Sequence, residues 1–115
     1  MSLLSDKQWE HVQMTARLID YAKSLGWKLT WGDAYRDPRA PYGADKSLHK
    51  QLLAVDFNLH INGEWIKDGD GIHYNYWNTL GTYWESLGGA WGGRFKAGPN
   101  AGDYNHFSLE HEGLR

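Results

Sequence analysis

The central stretch LAVDFNLHINGEWIK, residues 53–67, decides the fold. Its first eight residues largely alternate between apolar and polar side chains, which is typical of a strand with one buried face. Asn62-Gly63 then favours a tight hairpin turn, because both residues tolerate the positive φ angles that such a turn requires. The sequence therefore predicts a strand at 53–60 that pairs with a returning strand at 64–67.

Helices are predicted on both sides of this hairpin. Ser5 and Gln8 resemble a capping box, and apolar residues then recur at helical spacing until Gly26, which predicts a helix at about 5–25. The apolar residues of this helix, expected to face the core, are Trp9, Val12, Ala16 and Ile19, widened by Leu18, Ala22 and Leu25. The same rhythm returns between Tyr74 and Leu87 and predicts a second helix.

Shorter elements complete the predicted architecture. Mixed Thr and aromatic residues indicate a strand leading from Trp27 to Tyr35, and two prolines and a glycine indicate a loop at 37–46. Further short strands are predicted at 90–95 and 104–109. The order of elements predicts an α+β domain, with a small antiparallel sheet and flanking helices.

Length and composition restrict what the chain can do. Its 115 residues suit one domain spanning 1–115, and its formal net charge of −2 argues against a nucleic-acid partner. Because the chain has no cysteine, a metal would have to be held by imidazole and carboxylate groups. The longest apolar run, Leu52–Val55, predicts neither membrane insertion nor a signal peptide, so we expect synthesis in the cytoplasm.

Aromatic residues are unusually frequent for so short a chain, with 7 Trp, 7 Tyr and 3 Phe. Two interpretations compete. The rings could fill the core, since each buries a large apolar area. They could instead line a cleft and stack on the faces of sugars or peptides, as in a wall-binding module.

Among the six histidines, His49 and His106 differ from the rest in their surroundings. His49 precedes Asp56 by seven residues, and Asp56 interrupts an apolar strand where a carboxylate is costly unless it is paired or bound to a cation. His106 lies on the last predicted strand and could supply a third ligand, the number that a catalytic zinc ion usually takes from a protein. The other histidines, His11, His60, His73 and His111, are more typical of structural or solvent-facing positions.

These residues also carry a family resemblance. The pattern Ser47-x-His49-x-x-x-x-Ala54-x-Asp56, followed by Asp103-x-x-His106-Phe107, resembles the zinc signature of the D-alanyl-D-alanine carboxypeptidase family. That family includes phage L-alanyl-D-glutamate endopeptidases and is similar in fold to the catalytic domains of hedgehog and lysostaphin. The resemblance extends from about residue 31 to residue 109.

The resemblance implies roles for individual residues. His49, Asp56 and His106 correspond to the three ligands of a Zn²⁺ ion, and Asp103 corresponds to the acidic general base. Arg36 corresponds to an arginine that faces the scissile carbonyl or a substrate carboxylate. Structural alternatives remain open: Asp103 could be a turn residue, Arg36 could pair with a neighbouring aspartate, and Glu85 is more typical of a surface or supporting position.

One residue departs from the family pattern. Leu52 stands where many relatives have glycine between the first two ligands. This position lies in the entry to the strand rather than among the ligands, so the departure bears on the local backbone shape more than on metal binding.

The resemblance further implies a monomeric zinc metallopeptidase, a hydrolase acting on peptidoglycan stem peptides as an L-alanyl-D-glutamate endopeptidase or a D-Ala-D-Ala carboxypeptidase. It suggests a phage or prophage endolysin that degrades the cell wall after a partner permeabilises the membrane. The alternatives are an aromatic-rich module that binds cell wall or glycan, and a catalytically inactive zinc-binding interaction domain.

Overall fold

The computed structural model of the chain describes residues 3–32, 50–69, 71–96 and 102–111. In these residues two α-helices and five β-strands form an α+β domain, as the sequence predicted. The elements, in chain order, are α1 (Leu4–Ser24), β1 (Lys28–Trp31), β2 (Ala54–Ile61), β3 (Glu64–Ile66), α2 (Tyr74–Ser86), β4 (Ala90–Trp91), a 3₁₀ turn (Gly92–Arg94) and β5 (His106–Ser108).

Strand β2 organises the sheet, because it pairs with three other strands. The order is β1-β2-β5-β4, with β3 also paired to β2, and each pairing is antiparallel. The predicted hairpin is confirmed: Asn62 and Gly63 have φ angles of 53° and 80°, the left-handed values that a tight two-residue turn requires. The turn sets the register of β2 with β3, and the separate pairing of β2 with β5 places Asp56 opposite His106.

The core lies between one face of the sheet and the two helices. Val55, Phe57 and Leu59 project from β2 into it, since alternate residues of a strand share a face. Helix α2 contributes Trp77 and Trp84, both almost wholly buried. Trp77, Trp84 and Trp91 fill the core, as the first interpretation predicted, whereas Trp9, Trp31 and Trp65 are more than half exposed. Stacking of exposed rings on sugars or peptides stays a prediction.

Helix α1 differs from its predicted form in two ways. Its N-cap is Leu3, with no side-chain capping bond, so the capping box at Ser5 and Gln8 is wrong. The prediction that Trp9 and Val12 face the core is also wrong, because their side chains are 65% and 57% exposed.

The face of α1 that is buried carries polar groups. The buried residues are His11, Met14, Thr15, Leu18 and Ala22. His11 Nε2 donates a 3.2 Å hydrogen bond to the carbonyl of Phe107, and Thr15 donates one of 2.8 Å to the carbonyl of His11. Both bonds offset the cost of burying the two side chains, and the bond of His11 also ties this face of the helix to β5.

The ends of the later strands also differ from prediction. The strand expected at 90–95 ends at Trp91 and continues as the 3₁₀ turn, and the strand expected at 104–109 is confined to 106–108. The strand expected at Trp27–Tyr35 is observed as β1, and residues beyond 32 lie outside the described residues, as does the predicted loop at 37–46. In the described part of the chain, no helix is long and apolar enough to cross a membrane.

Leu52 provides a test of the backbone where the chain enters β2. Its φ angle is 60°, in the left-handed region that favours glycine, and its side chain is 46% exposed. We expect Leu52→Gly to be more stable than Leu52→Ala by about 0.5–1 kcal/mol, because both variants remove the same contacts and only alanine keeps the strained Cβ. Urea unfolding measures the difference. Equal or greater stability of the alanine variant would contradict a strained Leu52.

Candidate active site

The candidate site is built on the pairing of β2 with β5. Because Asp56 and His106 are direct register partners, their side chains project from the same face of the sheet. His106 Nδ1 lies 3.3 Å from Asp56 Oδ1. The His106 side chain is fully buried and that of Asp56 is 16% exposed, so this carboxylate and imidazole meet in a poorly solvated place.

Asp103 joins this pair from the turn that precedes β5. Gly102, with a φ angle of 66°, directs the chain into the turn, and the amide of His106 donates a 3.1 Å bond to the carbonyl of Asp103. Ligand atoms of Asp56, Asp103 and His106 all lie within 4.8 Å of one another. Three of the five residues predicted for the site are therefore adjacent in space.

Close packing around Gly92 holds this turn against the sheet. A Cβ atom on Gly92 would lie 2.2 Å from the carbonyl oxygen of Asp103 and 2.9 Å from Cβ of His106, so only glycine fits. Beside it, Trp91 Nε1 donates a 2.6 Å bond to the carbonyl of Tyr104. The aromatic and glycine-rich segment at 91–93 thus fixes the backbone that carries Asp103 and His106.

The surroundings of Asp103 favour its protonated form. Burial is the largest cause, followed by a hydrogen bond with Asp68 and by the negative charges of Asp56 and Asp68, and together they raise the pKa of Asp103 to about 8. A carboxyl group with a pKa near neutrality can both accept and release a proton at physiological pH.

The donor set fits a zinc ion. Two ligands held at about 2.0–2.2 Å from a tetrahedral ion are separated by about 3.3–3.6 Å, and the distance between His106 Nδ1 and Asp56 Oδ1 falls in that range. Imidazole nitrogen and carboxylate oxygen are also ordinary zinc ligands. The other two predicted site residues, His49 and Arg36, lie outside the described residues.

Two neighbours of the site, Asp68 and Asn105, were not predicted from the sequence as site residues. Asp68, just after β3, accepts a 3.2 Å bond from the backbone amide of Asn105. Nothing local distinguishes Asp68 from other aspartates in polar loops, since its partner is 37 residues away. Glu85, by contrast, is where the sequence placed it, at the surface, where it forms a 3.1 Å ion pair with Arg94.

The raised pKa of Asp103 predicts a pH-dependent stability in metal-free protein. Because the pKa is 3.8 ordinarily and about 8 in the folded state, the folded state holds the proton more tightly. The stabilisation is complete below the lower value and is lost as the pH rises through the higher one. We therefore expect Asp103→Asn to become progressively more stable than wild type as the pH rises from about 5 to about 9.

Unfolding of chelator-treated protein across this range measures the effect. The control is Asp20→Asn, which changes an exposed aspartate on α1. A difference between wild type and Asp103→Asn that does not change with pH would contradict the raised pKa.

Comparison with known proteins supplies the family. A family model described as D-alanyl-D-alanine carboxypeptidase matches residues 42–109, more than half of the chain. The matched region contains His49, Asp56, Asp103 and His106, and begins after Arg36. No curated protein matches the chain. The chain belongs to the D-alanyl-D-alanine carboxypeptidase family, and hence to the peptidases.

Proposed function

We propose that this peptidase depends on zinc and hydrolyses peptide bonds in the stem peptides of peptidoglycan. The observation that carries the proposal is the buried pair of His106 and Asp56, separated by 3.3 Å, with the carboxyl group of Asp103 beside it. The family match supports peptide hydrolysis. The resemblance to phage endopeptidases supports a wall substrate and the role of an endolysin.

His49, Asp56 and His106 are the residues proposed to hold the metal. Asp56 and His106 meet in the structure, and His49 completes the set through its place in the sequence motif. A bound zinc ion would polarise the scissile carbonyl and lower the pKa of water toward neutrality.

Asp103 is the proposed general base. Its carboxyl group lies beside the proposed ligands, on a turn fixed by Gly92 and Trp91, and can accept the proton of the attacking water. The same group can then deliver that proton to the amine that leaves. Arg36 is proposed to stabilise the negative charge that develops on the carbonyl oxygen.

The identity of the bond that is cut can be read from the products. An L-alanyl-D-glutamate endopeptidase would create a new amino group on D-glutamate, whereas a D-Ala-D-Ala carboxypeptidase would release free D-alanine. Both activities hydrolyse a peptide bond and leave the glycan chains intact.

Loss of a proposed ligand should remove the metal. We expect His49→Ala, Asp56→Ala and His106→Ala each to lose tightly bound zinc, because two remaining ligands hold the ion poorly. Metal analysis of purified protein measures this loss. The control is His60→Ala, which removes a histidine farther along β2. Zinc near one equivalent in both histidine variants at positions 49 and 106 would overturn the ligand assignment.

The proposed activity has a direct test with purified peptidoglycan. Zinc-loaded protein should release free amino groups or free D-alanine without releasing reducing sugar ends. Asp103→Asn should retain zinc but lose about 10²- to 10⁴-fold in turnover, the usual contribution of a positioned base. Asp20→Asn serves again as the control.

Each other outcome has a definite meaning. Reducing ends would identify a glycosidase, and the absence of any product would favour a binding module or an inactive zinc-binding domain. Near-normal turnover of Asp103→Asn would assign the base to another residue.

Arg36→Ala, if the guanidinium stabilises the oxyanion, should also keep zinc and lose about 10²- to 10³-fold in rate.

A further inference from the structure

Asp68 lies beside Asp103 although 35 residues separate them in the sequence. Asp68 lies two residues after the end of β3 and is half-buried. The backbone just before it is anchored to the core, because the buried Trp77 donates a 3.2 Å bond from Nε1 to the carbonyl of Lys67. The position of the Asp68 carboxylate is therefore determined by the packing of α2 against the end of β3.

Asn105 connects the two carboxyl groups. Its backbone amide donates a 3.2 Å bond to Asp68 Oδ1. With its side-chain amide nitrogen turned toward the carboxylates, Asn105 also donates to Asp68 Oδ2 at 3.2 Å and to Asp103 Oδ1 at 2.8 Å. Both oxygens of Asp68 thus bind Asn105, and the same amide binds Asp103.

The backbone of Asn105 is itself held by the sheet. Phe57, the residue that follows Asp56, donates a 3.1 Å bond from its backbone amide to the carbonyl of Asn105. The bridging side chain therefore starts from a fixed point, and its orientation is determined by the two carboxylates that accept its hydrogens.

The direct hydrogen bond between Asp103 and Asp68 requires a proton on one of the two carboxyl groups, whereas the Asn105 amide can donate to Asp103 when both are ionised. Two carboxylates close together repel when ionised, and a side chain on a turn can rotate away from the repulsion. The bridge opposes that rotation by holding Oδ1 of Asp103.

We propose that Asp68, acting through Asn105, is a positioning residue that holds Asp103 in the orientation required to accept a proton from the attacking water. This inference rests on the proposed function, in which Asp103 is the base. Asp68 does not contact the reacting atoms, and Asn105→Ala tests its hydrogen-bonded bridge without removing its negative charge.

The kinetic test uses a zinc-loaded protein and a soluble stem peptide. Asp68→Asn keeps the size of the side chain but replaces one acceptor oxygen with an NH₂ group that cannot bind the Asn105 amide. We expect kcat to fall about 10-fold to 10²-fold, with KM and zinc content changed less than about twofold, because a misplaced catalytic group slows the chemical step. Asp20→Asn should leave kcat unchanged.

A double variant shows whether Asp68 acts through the base. In a protein that already carries Asp103→Asn, adding Asp68→Asn should slow turnover by less than about twofold, because the group that Asp68 positions has been removed. An equal loss of kcat in the presence and absence of Asp103 would overturn the proposal, as would equal kcat values for Asp68→Asn and Asp20→Asn. Asn105→Ala, which removes the bridge but not the backbone amide, should reproduce the loss of kcat even if Asp68→Asn does not fold.

A measurement without substrate separates this inference from the proposed activity. In ¹⁵N-correlated spectra of the folded protein, the side-chain amide protons of Asn105 should shift in both Asp68→Asn and Asp103→Asn, and remain unchanged in Asp20→Asn. Unchanged Asn105 signals in the first two variants would overturn the bridge. An inactive wild-type protein with a responsive Asn105 amide would overturn the proposed function while leaving the bridge in place.

Discussion

The structure depends on the pairing of a carboxylate with an imidazole in a part of the sheet that excludes most water. Asp56 and His106 lie 3.3 Å apart, and His106 is fully buried. Removing a carboxylate from water costs several kcal/mol unless a charged partner compensates. The imidazole compensates only when it is protonated, whereas a cation held by both groups compensates while the imidazole stays neutral. A bound cation would therefore stabilise the folded state as well as serve the proposed chemistry.

The register of β2 makes this pairing possible. Side chains alternate between the two faces of a strand, so the same strand delivers Phe57 to the core and Asp56 to the opposite face. A slip of one residue would bury Asp56 among the aromatic rings of α2 and expose Phe57, which makes the alternative register very unfavourable. The hairpin turn at Asn62-Gly63 and the pairing with β5 both fix the register. Core packing and site geometry are thus determined by the same hydrogen-bond ladder.

Local signals in the sequence predicted some of these features and not others. The alternation along β2 and the Asn-Gly turn act over a few residues, so the hairpin was predicted correctly. The buried face of α1 was predicted correctly at Leu18 and Ala22 but not at His11, because the hydrogen bond of His11 to the carbonyl of Phe107 requires the completed fold. Asp56, Asp103 and His106 were identified through a motif shared with a family. Asp68 and Asn105 were not, because their contact forms only when the end of β3 meets the turn before β5.

Asp103 lies between opposing electrostatic influences, and this arrangement connects the proposed base to the proposed metal. Burial and the carboxylates of Asp56 and Asp68 raise the pKa of Asp103, so in metal-free protein at neutral pH the group is largely protonated and cannot act as a base. A divalent cation held by Asp56 and His106 would act in the opposite direction, since a nearby positive charge favours the ionised carboxylate. Under the proposed function, the base would then become available when the metal binds, and the same cation would lower the pKa of the water from which Asp103 takes its proton.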